Sequence, residues 1–386
     1  VKIAFAMYGT GLAGGVRAIF EVANRLHERG YNIRIIALGG DHSWFKVKVP
    51  IYYVQPSKIL NLSIKAYRLL RHIQVRNNKV NYFDVSAFAR KLGFHADLIR
   101  TLVDALNEHG TDAAIATWYP TALSVWLSNV SKPLYFMQDF HELVQEADGV
   151  YGLRLFETTL RLPFHFLANS TYTRDIILSY NKEAKVTITG VGVDLNTFYP
   201  RRTRIINSNG KPIVMAIIRD QRFKGGDVAI RALNLVNKKQ PIHAILVGSR
   251  RTIDKLFMEV KPEFRYTIFS NVDDEILAKL YSNSDIFMFT SYKESFGLPP
   301  LEAMASGTAV VTTDCGGIRD YAVDGYNSLI TPPGDPMAIA EAVIKILNDQ
   351  RLRDKLSQNG LETAKQWTWD RVTDKFEKAI KEDIAK

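Results

Sequence analysis

The sequence predicts an α/β protein built from two doubly wound, Rossmann-like domains, each a parallel sheet covered by helices on both faces. Three observations carry this. The chain has 386 residues, more than one ordinary compact core accommodates. Strand-like and helix-like segments alternate from the first residue, which is the pattern of parallel βα units. The alternation then restarts in the second half, beyond a polar stretch that carries a proline. A hydrophobic fraction of 46% and a charged fraction of 23% belong to an ordinary globular protein, ordered almost end to end, and no low-complexity tract or short repeat appears.

Taken in order, Lys2–Tyr8 reads as the first strand, and a glycine cluster leads from it into Val16–Arg29, apolar at helical spacing. Gly30 stops that helix and Asn32–Leu38 forms the next strand. The longest uncharged run, Ala113 to Ser131, holds Pro120, Asn129 and several hydroxyl residues, so it reads as a buried strand, loop and helix rather than a membrane span. In the second half Pro212–Ile218 is a strand, a basic loop follows, Gly226–Lys238 is a helix and Ile242–Val247 is a strand. Asp273 and Asp274 stand before a helix as its N-terminal cap, and Asp285–Thr290 is a further buried strand. The segment 199–211 carries Pro200, a basic cluster, Asn207, Ser208, Asn209 and Gly210, and is placed as the linker between an N-terminal domain, 1–198, and a C-terminal domain, 212–367. Ligands of doubly wound sheets sit beyond the carboxyl ends of the strands, so two such domains facing each other would form a cleft lined by the loops that follow strands.

Bulk properties exclude some function classes. With Cys315 as the one cysteine, no intramolecular disulfide and no cysteine metal cluster can form, which fits a reducing compartment. The chain opens on a strand rather than on a signal peptide, and a cytoplasmic location is expected. The net charge of +10 suits phosphorylated ligands, an anionic membrane face or nucleic acid, and composition does not choose among them.

Three loops carry candidate chemistry. Gly9, Gly11 and Gly14 after the first strand fit a dinucleotide-binding fingerprint, whose glycines let backbone amides approach a pyrophosphate at a helix N-terminus. That fingerprint also wants an acidic residue closing the second strand, and Asp41 lies beyond its expected end. An NAD-dependent oxidoreductase, a structural tight turn, and a loop contacting phosphate or acceptor therefore all remain readings of it. The second loop runs from Arg219 through Arg222 and Lys224 to Gly225 and Gly226, where cations beside glycines at a helix start suit a diphosphate; a solvated basic loop is the plainer reading. The third, from Ser291 to Gly307, contains Glu294, Gly297 and Glu302, with Pro299 and Pro300 suiting a helix start and Gly307 its end. Carboxylates there accept from paired sugar or ribose hydroxyls; the plainer reading makes one a surface glutamate and the other an N-terminal helix carboxylate.

These residues resemble glycosyltransferase family 4, retaining nucleotide-sugar enzymes of the glycosyltransferase-B (GT-B) fold. Glu294 and Glu302 match the family's two-glutamate motif, Arg219 and Lys224 its basic pair, and 285–307, 310–317 and 324–332 follow its pattern. Ala168 to Ser170 and Gly190 to Phe198 match as well, so the likeness is strong from about residue 167 and looser before it. The resemblance implies a nucleotide diphosphate sugar as donor. Arg219 and Lys224 would bind its diphosphate, Glu302 the ribose and Glu294 the sugar hydroxyls, with the amides of Phe296, Gly297 and Leu298 close to sugar and phosphate. Gly14 and Gly15 would approach the phosphates or the acceptor, which would be a glycan, a lipid-linked or a small-molecule acceptor of polysaccharide biosynthesis. The family's C-terminal helix, which crosses back to the first domain, would be 368–386. One departure stands out. Where many members carry a histidine at the end of a first-domain strand, this chain has Gln138 and Asp139, with His141 slightly later. Together with Trp118 to Ala122 this is similar to a branch that includes rhamnosyltransferases. Asp139 and His141 are catalytic candidates, with helix capping and packing as their plainer roles.

No Asp-x-Asp pair follows a plausible strand, so no metal and no other cofactor is expected, the cations offsetting charge on the leaving phosphate. The stretch 57–83 holds six Lys or Arg residues among leucines and isoleucines and no acidic residue; it reads either as a packed helix with a solvated basic face or as peripheral contact with an anionic membrane at its inner face. A nucleotide-sugar epimerase shares the expected fold, though the two-glutamate motif speaks against it, and a non-catalytic protein with a surviving donor site is the other competitor. Nucleic-acid binding rests on charge alone and is not expected.

Overall fold

The computed structural model describes residues 1–55, 94–201 and 205–384. The stretch 57–83 singled out for its basic residues lies outside the described residues, apart from which the chain forms two compact units. Unit 1 is Val1–Asn169, Thr173–Thr189 and Thr373–Lys386; unit 2 is Ser170–Tyr172 and Gly190–Val372.

Unit 1 is organised on a seven-stranded sheet: β1 (Lys2–Met7), β2 (Asn32–Ala37), β3 (Ile51–Tyr53), β4 (Ala113–Ala116), β5 (Lys132–Met137), β6 (His165–Ala168) and β7 (Lys185–Ile188). Their order is β3-β2-β1-β4-β5-β6-β7 and every pairing is parallel. Phe5 pairs with Ile35 on one side and Ile115 on the other and is fully buried, as the central strand of a sheet covered on both faces requires. The described helices of this unit are α1 (Gly14–Glu28), α2 (Phe94–Glu108), α3 (Tyr119–Leu127), α4 (His141–Thr159) and α5 (Thr171–Tyr180). In α1 the buried residues Ala18, Ile19, Val22, Ala23 and Leu26 recur at helical spacing, which is what holds it on the sheet. The uncharged run Ala113 to Ser131 is indeed strand, loop and helix, and no described helix is long and apolar enough to cross a membrane.

Unit 2 repeats the plan with six parallel strands: β8 (Ile213–Ile217), β9 (His243–Val247), β10 (Arg265–Phe269), β11 (Ile286–Phe289), β12 (Ala309–Thr313) and β13 (Leu329–Thr331). The order is β10-β9-β8-β11-β12-β13. Helices α6 (Gly226–Lys239), α7 (Arg250–Glu259), α8 (Asp274–Ser282), α9 (Leu298–Ala305), α10 (Pro336–Asn348) and α11 (Gln350–Ala364) belong to it. Asp273 caps α8 as expected, its carboxylate accepting from the Ile276 N–H at 2.8 Å. The core between sheet and helices is aliphatic, with Val214, Leu233, Leu246, Val311 and Ile339 all fully buried.

A last helix, α12 (Trp369–Ile384), begins in unit 2 and belongs to unit 1 from Thr373 onward. Phe376 meets Phe136 edge to face at 4.8 Å, Asp383 pairs with His165 and Lys185 at 2.6 Å each, and Glu377 pairs with Arg29 at 2.7 Å. This is the return helix that the family resemblance implied. The placement of a linker at 199–211 is corrected: the chain leaves unit 1 earlier, after Thr189, and 199–211 lies within unit 2. Several of its described groups bond to α8 and the residue just beyond it. Arg201 pairs with Glu275 at 2.9 Å, Ser282 donates to the Tyr199 carbonyl at 3.1 Å, and the Ile205 N–H donates to Asn283 at 2.6 Å.

Candidate active site

In a doubly wound sheet the ligand crevice opens where the strand order reverses. In unit 2 that point lies between β8 and β11, and the loops leaving these two strands are the second and third loops singled out from sequence. The first of them ends in a single 3₁₀ turn, Arg222–Lys224, before Gly225 leads into α6. Gly225 has φ 64°, and a Cβ on it would sit 2.2 Å from the Thr290 carbonyl oxygen, so only glycine fits. Thr290 Oγ1 donates to the Gly225 carbonyl at 2.9 Å and the Tyr292 N–H donates to the Phe223 carbonyl at 2.7 Å. These contacts bind the two loops together and deliver Lys224 to the second.

Lys224 Nζ donates to both carboxylate oxygens of Glu294, at 2.8 Å each, and Ser291 Oγ donates to Glu294 Oε1 at 2.7 Å. Glu294 is 7% exposed, so it is not the surface glutamate of the plainer reading. Burying a carboxylate is tolerated only where donors replace its water, and the ammonium and the hydroxyl do so. The backbone is fixed too: the Glu294 N–H donates to the Cys315 carbonyl at 2.8 Å, and the Gly317 N–H donates to the Glu294 carbonyl at 3.0 Å. Burial pushes the Cys315 thiol well above its usual range, the nearby Glu294 charge adding to it, so this cysteine is inert packing.

Beyond Glu294, Phe296 is buried against Tyr321 and Trp367, with ring centroids 5.3 and 5.4 Å away. Gly297 turns the chain into α9 at φ 83°, where a Cβ would meet Ile318 at 2.7 Å, and the Tyr321 hydroxyl donates to its carbonyl. The N-terminal N–H groups of a helix lack intrahelical acceptors and carry partial positive charge. Pro299 and Pro300 have no N–H, so at this end the donors are the Leu298 amide and those just before it. Glu302, four residues into α9, is 6% exposed, and its Oε2 accepts from the Tyr281 hydroxyl at 3.2 Å. Burial and then the Glu302 charge hold the Tyr281 hydroxyl well above the tyrosine range, while Arg219 acts on it in the opposite sense. Exposed Arg219 thus lies within electrostatic reach of the Tyr281–Glu302 pair. The two glutamates hold different partners, Glu294 the lysine and Glu302 the tyrosine. Beside the first loop opens a groove of about 510 Å³, lined by Arg219, Arg222, Asp227, Lys255 and Tyr292 among others.

In unit 1 the order reverses between β1 and β4. Gly14 and Gly15 open α1 directly after the glycine loop. Gln138 Nε2 donates to the Gly15 carbonyl at 3.2 Å, and a Cβ on Gly15 would come within 3.3 Å of the Gln138 amide oxygen. Asp41 serves its own turn, accepting from the Ser43 N–H at 2.8 Å and hydroxyl at 2.9 Å, while β2 closes on Ala37 with no acidic residue. Asp139 is 1% exposed and accepts from the Tyr135 hydroxyl at 2.7 Å and from the Tyr119 N–H. Burial raises its carboxyl to about 7 against the pull of those two donors. Phe140 caps α4 without a side-chain bond, so Asp139 is no cap of its own helix; it holds the first turn of α3 instead. His141 Nε2 donates to the Tyr180 hydroxyl at 2.9 Å, which donates to Glu157 at 3.0 Å. Asp139 and His141 therefore face different neighbours.

Ser291, Tyr281 and the Gln138–Gly15 bond were not assigned from sequence. Ser291 had a signal, a serine three residues before a glutamate, the spacing at which a short loop returns one side chain to the other. Tyr281 had none, because its partner is 21 residues away on another helix.

Residues 201–363 match the model of the family described as glycosyl transferases group 1. The D-inositol 3-phosphate glycosyltransferase of Corynebacterium diphtheriae is 24% identical over 96% of this chain and 90% of its own length. Among solved structures, a sucrose-phosphate synthase from Thermosynechococcus elongatus superposes with a TM-score of 0.81 at 19% identity, over 100% of both chains. Anabaena HepE in complex with UDP-glucose does so with a TM-score of 0.75 at 17% identity, over 99% of both. The fold is therefore GT-B, and residues 201–363, which hold the paired glutamates and the zipped basic loop, carry the match to the group 1 glycosyltransferases.

Proposed function

We propose that this glycosyltransferase is a retaining, metal-independent hexosyltransferase of polysaccharide biosynthesis that binds a nucleoside diphosphate sugar in unit 2 and passes the sugar to a glycan, lipid-linked or small-molecule acceptor. The observation that carries the donor site is the buried contact of Lys224 with Glu294 at the N-terminus of α9. It puts a cation, a hydroxyl-accepting carboxylate and a helix end within one loop pair. Arg219 and Lys224 take the diphosphate, Glu302 the ribose and Glu294 the sugar hydroxyls; the amides of Phe296, Gly297 and Leu298 approach sugar and phosphate.

Transfer with retention is written as front-face attack. The acceptor oxygen bonds to the anomeric carbon, the bond from that carbon to the phosphate oxygen breaks, and the acceptor proton passes to the departing phosphate. Charge builds on the diphosphate, where Arg219 and Lys224 offset it; loss of one such group typically costs about 10²–10³ in rate. Asp139, with its carboxyl turned onto Tyr135 and Tyr119, acts by holding α3 rather than by touching sugar. Gly14, Gly15 and His141 are assigned to phosphate or acceptor recognition, and the site of action is the cytoplasm.

The test is a thermal-shift panel of nucleoside diphosphates and nucleotide sugars, with NAD and NADP as controls, since a ligand that binds the native state alone raises its melting temperature. Stabilisation by one nucleoside diphosphate family that disappears in Lys224→Ala supports the assignment. Stabilisation by a dinucleotide alone overturns it in favour of an oxidoreductase using the glycine loop.

A further inference from the structure

The arrangement around Lys224 bears on how the donor is selected. An ammonium has three donors, and two of them point at Glu294, one on each oxygen. The carboxylate in turn spends Oε1 on Ser291 as well. Lys224 is 27% exposed and Glu294 9% at the side chain, so the pair sits at the rim of the buried region, open to an incoming anion on the lysine side. Both groups that the donor needs are thus engaged with each other. Phosphate oxygens and the glutamate compete for the same ammonium, and sugar hydroxyls and the ammonium compete for the same carboxylate.

We propose that Glu294 is an internal stand-in for the donor's diphosphate, and that donor binding is an exchange of partners in which the diphosphate draws Lys224 away and leaves Glu294 free to accept from sugar hydroxyls. This rests on the donor site assigned above to unit 2. The exchange makes Glu294 a specificity determinant. A ligand must bring negative charge to replace a carboxylate, so a nucleoside diphosphate, with the larger charge, does so more readily than a nucleoside monophosphate, and a free sugar does not. It also couples the two ends of the donor: the phosphate end opens the sugar end, and by linkage the coupling is the same in both directions.

The experiment is isothermal titration of wild type, Glu294→Gln and Glu294→Asp with the mono- and diphosphates of uridine, guanosine and adenosine, read for the base that wild type binds. Glutamine keeps the shape and an acceptor for Ser291 but not the charge; aspartate keeps the charge. The exchange predicts that Glu294→Gln binds the nucleoside diphosphate several-fold more tightly than wild type and discriminates less between di- and monophosphate, while Glu294→Asp shows no gain. Equal or weaker diphosphate binding in a folded Glu294→Gln, with wild type binding normally, overturns the exchange and leaves the donor site standing: Glu294 would then be holding Lys224 in place for the phosphate. Failure of wild type to bind any of these nucleotides overturns the donor site, and the exchange with it. Melting curves identify a variant that does not fold, and Glu294→Ala then replaces Glu294→Gln in the same comparison.

Discussion

Replacing Asp139 by asparagine removes a titration that the fold of unit 1 has shifted far from its free value. The carboxyl is fully buried and raised to about 7, with burial the largest cause. In the unfolded chain an aspartate titrates near 3.9. Between those two values the native state holds a proton that the unfolded state has released, so native stability falls as pH rises through that window, and the loss is complete just above 7. From pH 5 to pH 8 the native state keeps that extra proton over about two pH units, which makes roughly 2–3 kcal/mol of stability lost by the wild type. The asparagine side chain does not titrate. Its amide oxygen accepts from Tyr135 and from the Tyr119 N–H as the carboxyl does, and its NH₂ needs an acceptor as the O–H of the protonated carboxyl does. The variant therefore gains on wild type from pH 5 to pH 8. At about 2–4 °C per kcal/mol for a unit of this size, the melting difference between the two proteins changes by about 5–10 °C across that range. Parallel thermal scans at half-unit steps of pH read this directly, since other titrating groups cancel in the difference. A melting difference that stays constant from pH 5 to pH 8 refutes the reasoning, because it would mean that Asp139 carries the same charge in both states.

Gly225→Ala places a Cβ against a backbone carbonyl in a left-handed conformation, and the neighbour cannot yield without separating the two loops; it lowers the melting temperature and removes Lys224-dependent nucleotide binding together, whereas a change in one alone contradicts the loop pairing. Tyr281→Phe leaves Glu302 without the hydroxyl it accepts from and costs about 1 kcal/mol or somewhat more, read as a small drop in melting temperature with weakened nucleotide affinity. If Arg219 and Lys224 alone offset the leaving charge, transfer assayed with an excess of chelator proceeds at the untreated rate, and a loss restored by a divalent ion refutes that assignment.

How much of this was legible in the residues follows from the range of the interactions. The parallel sheets declared themselves because a strand buried on both faces must be apolar throughout, as in Ile3 to Met7 and Ile286 to Phe289, and because each helix between strands repeats its apolar face. Lys224, Glu294 and Glu302 were legible as candidates because cations and carboxylates stand beside glycines and prolines in loops that follow strands. Their partners were not. Lys224 meets Glu294 across 70 residues, and nothing local to either marks the zipper of Gly225 and Thr290 that brings them together. The boundary of the units was misread for a related reason. The composition of 199–211 is that of a solvated linker, yet Arg201 and Ile205 find acceptors 74 and 78 residues away. Asp139 read as a catalytic candidate or a helix cap, and its contacts with Tyr135 and Tyr119, which enclose it, carry no local mark in the sequence.

The Lys224–Glu294 pair also separates stability from function. Bringing two opposite charges out of water costs several kcal/mol, which their attraction offsets only in part, so a buried pair is poor support for a fold even though breaking it by one side is damaging. Lys224, the more exposed partner, keeps some of its water, which reduces both effects. Lys224→Met alone strands a carboxylate that is 9% exposed with, among the described side chains, the Ser291 hydroxyl left as its partner, and the melting temperature falls. Adding Glu294→Gln removes the stranded charge while keeping the acceptor for Ser291, and the double variant recovers to within about 2–4 °C of wild type, an offset of no more than about 1 kcal/mol. Transfer is lost in both. A double variant no more stable than Lys224→Met would show that the ion pair itself supports unit 2. Recovery without activity would mean that the pair is kept for what it does to a bound anion, at no gain to the fold that carries it.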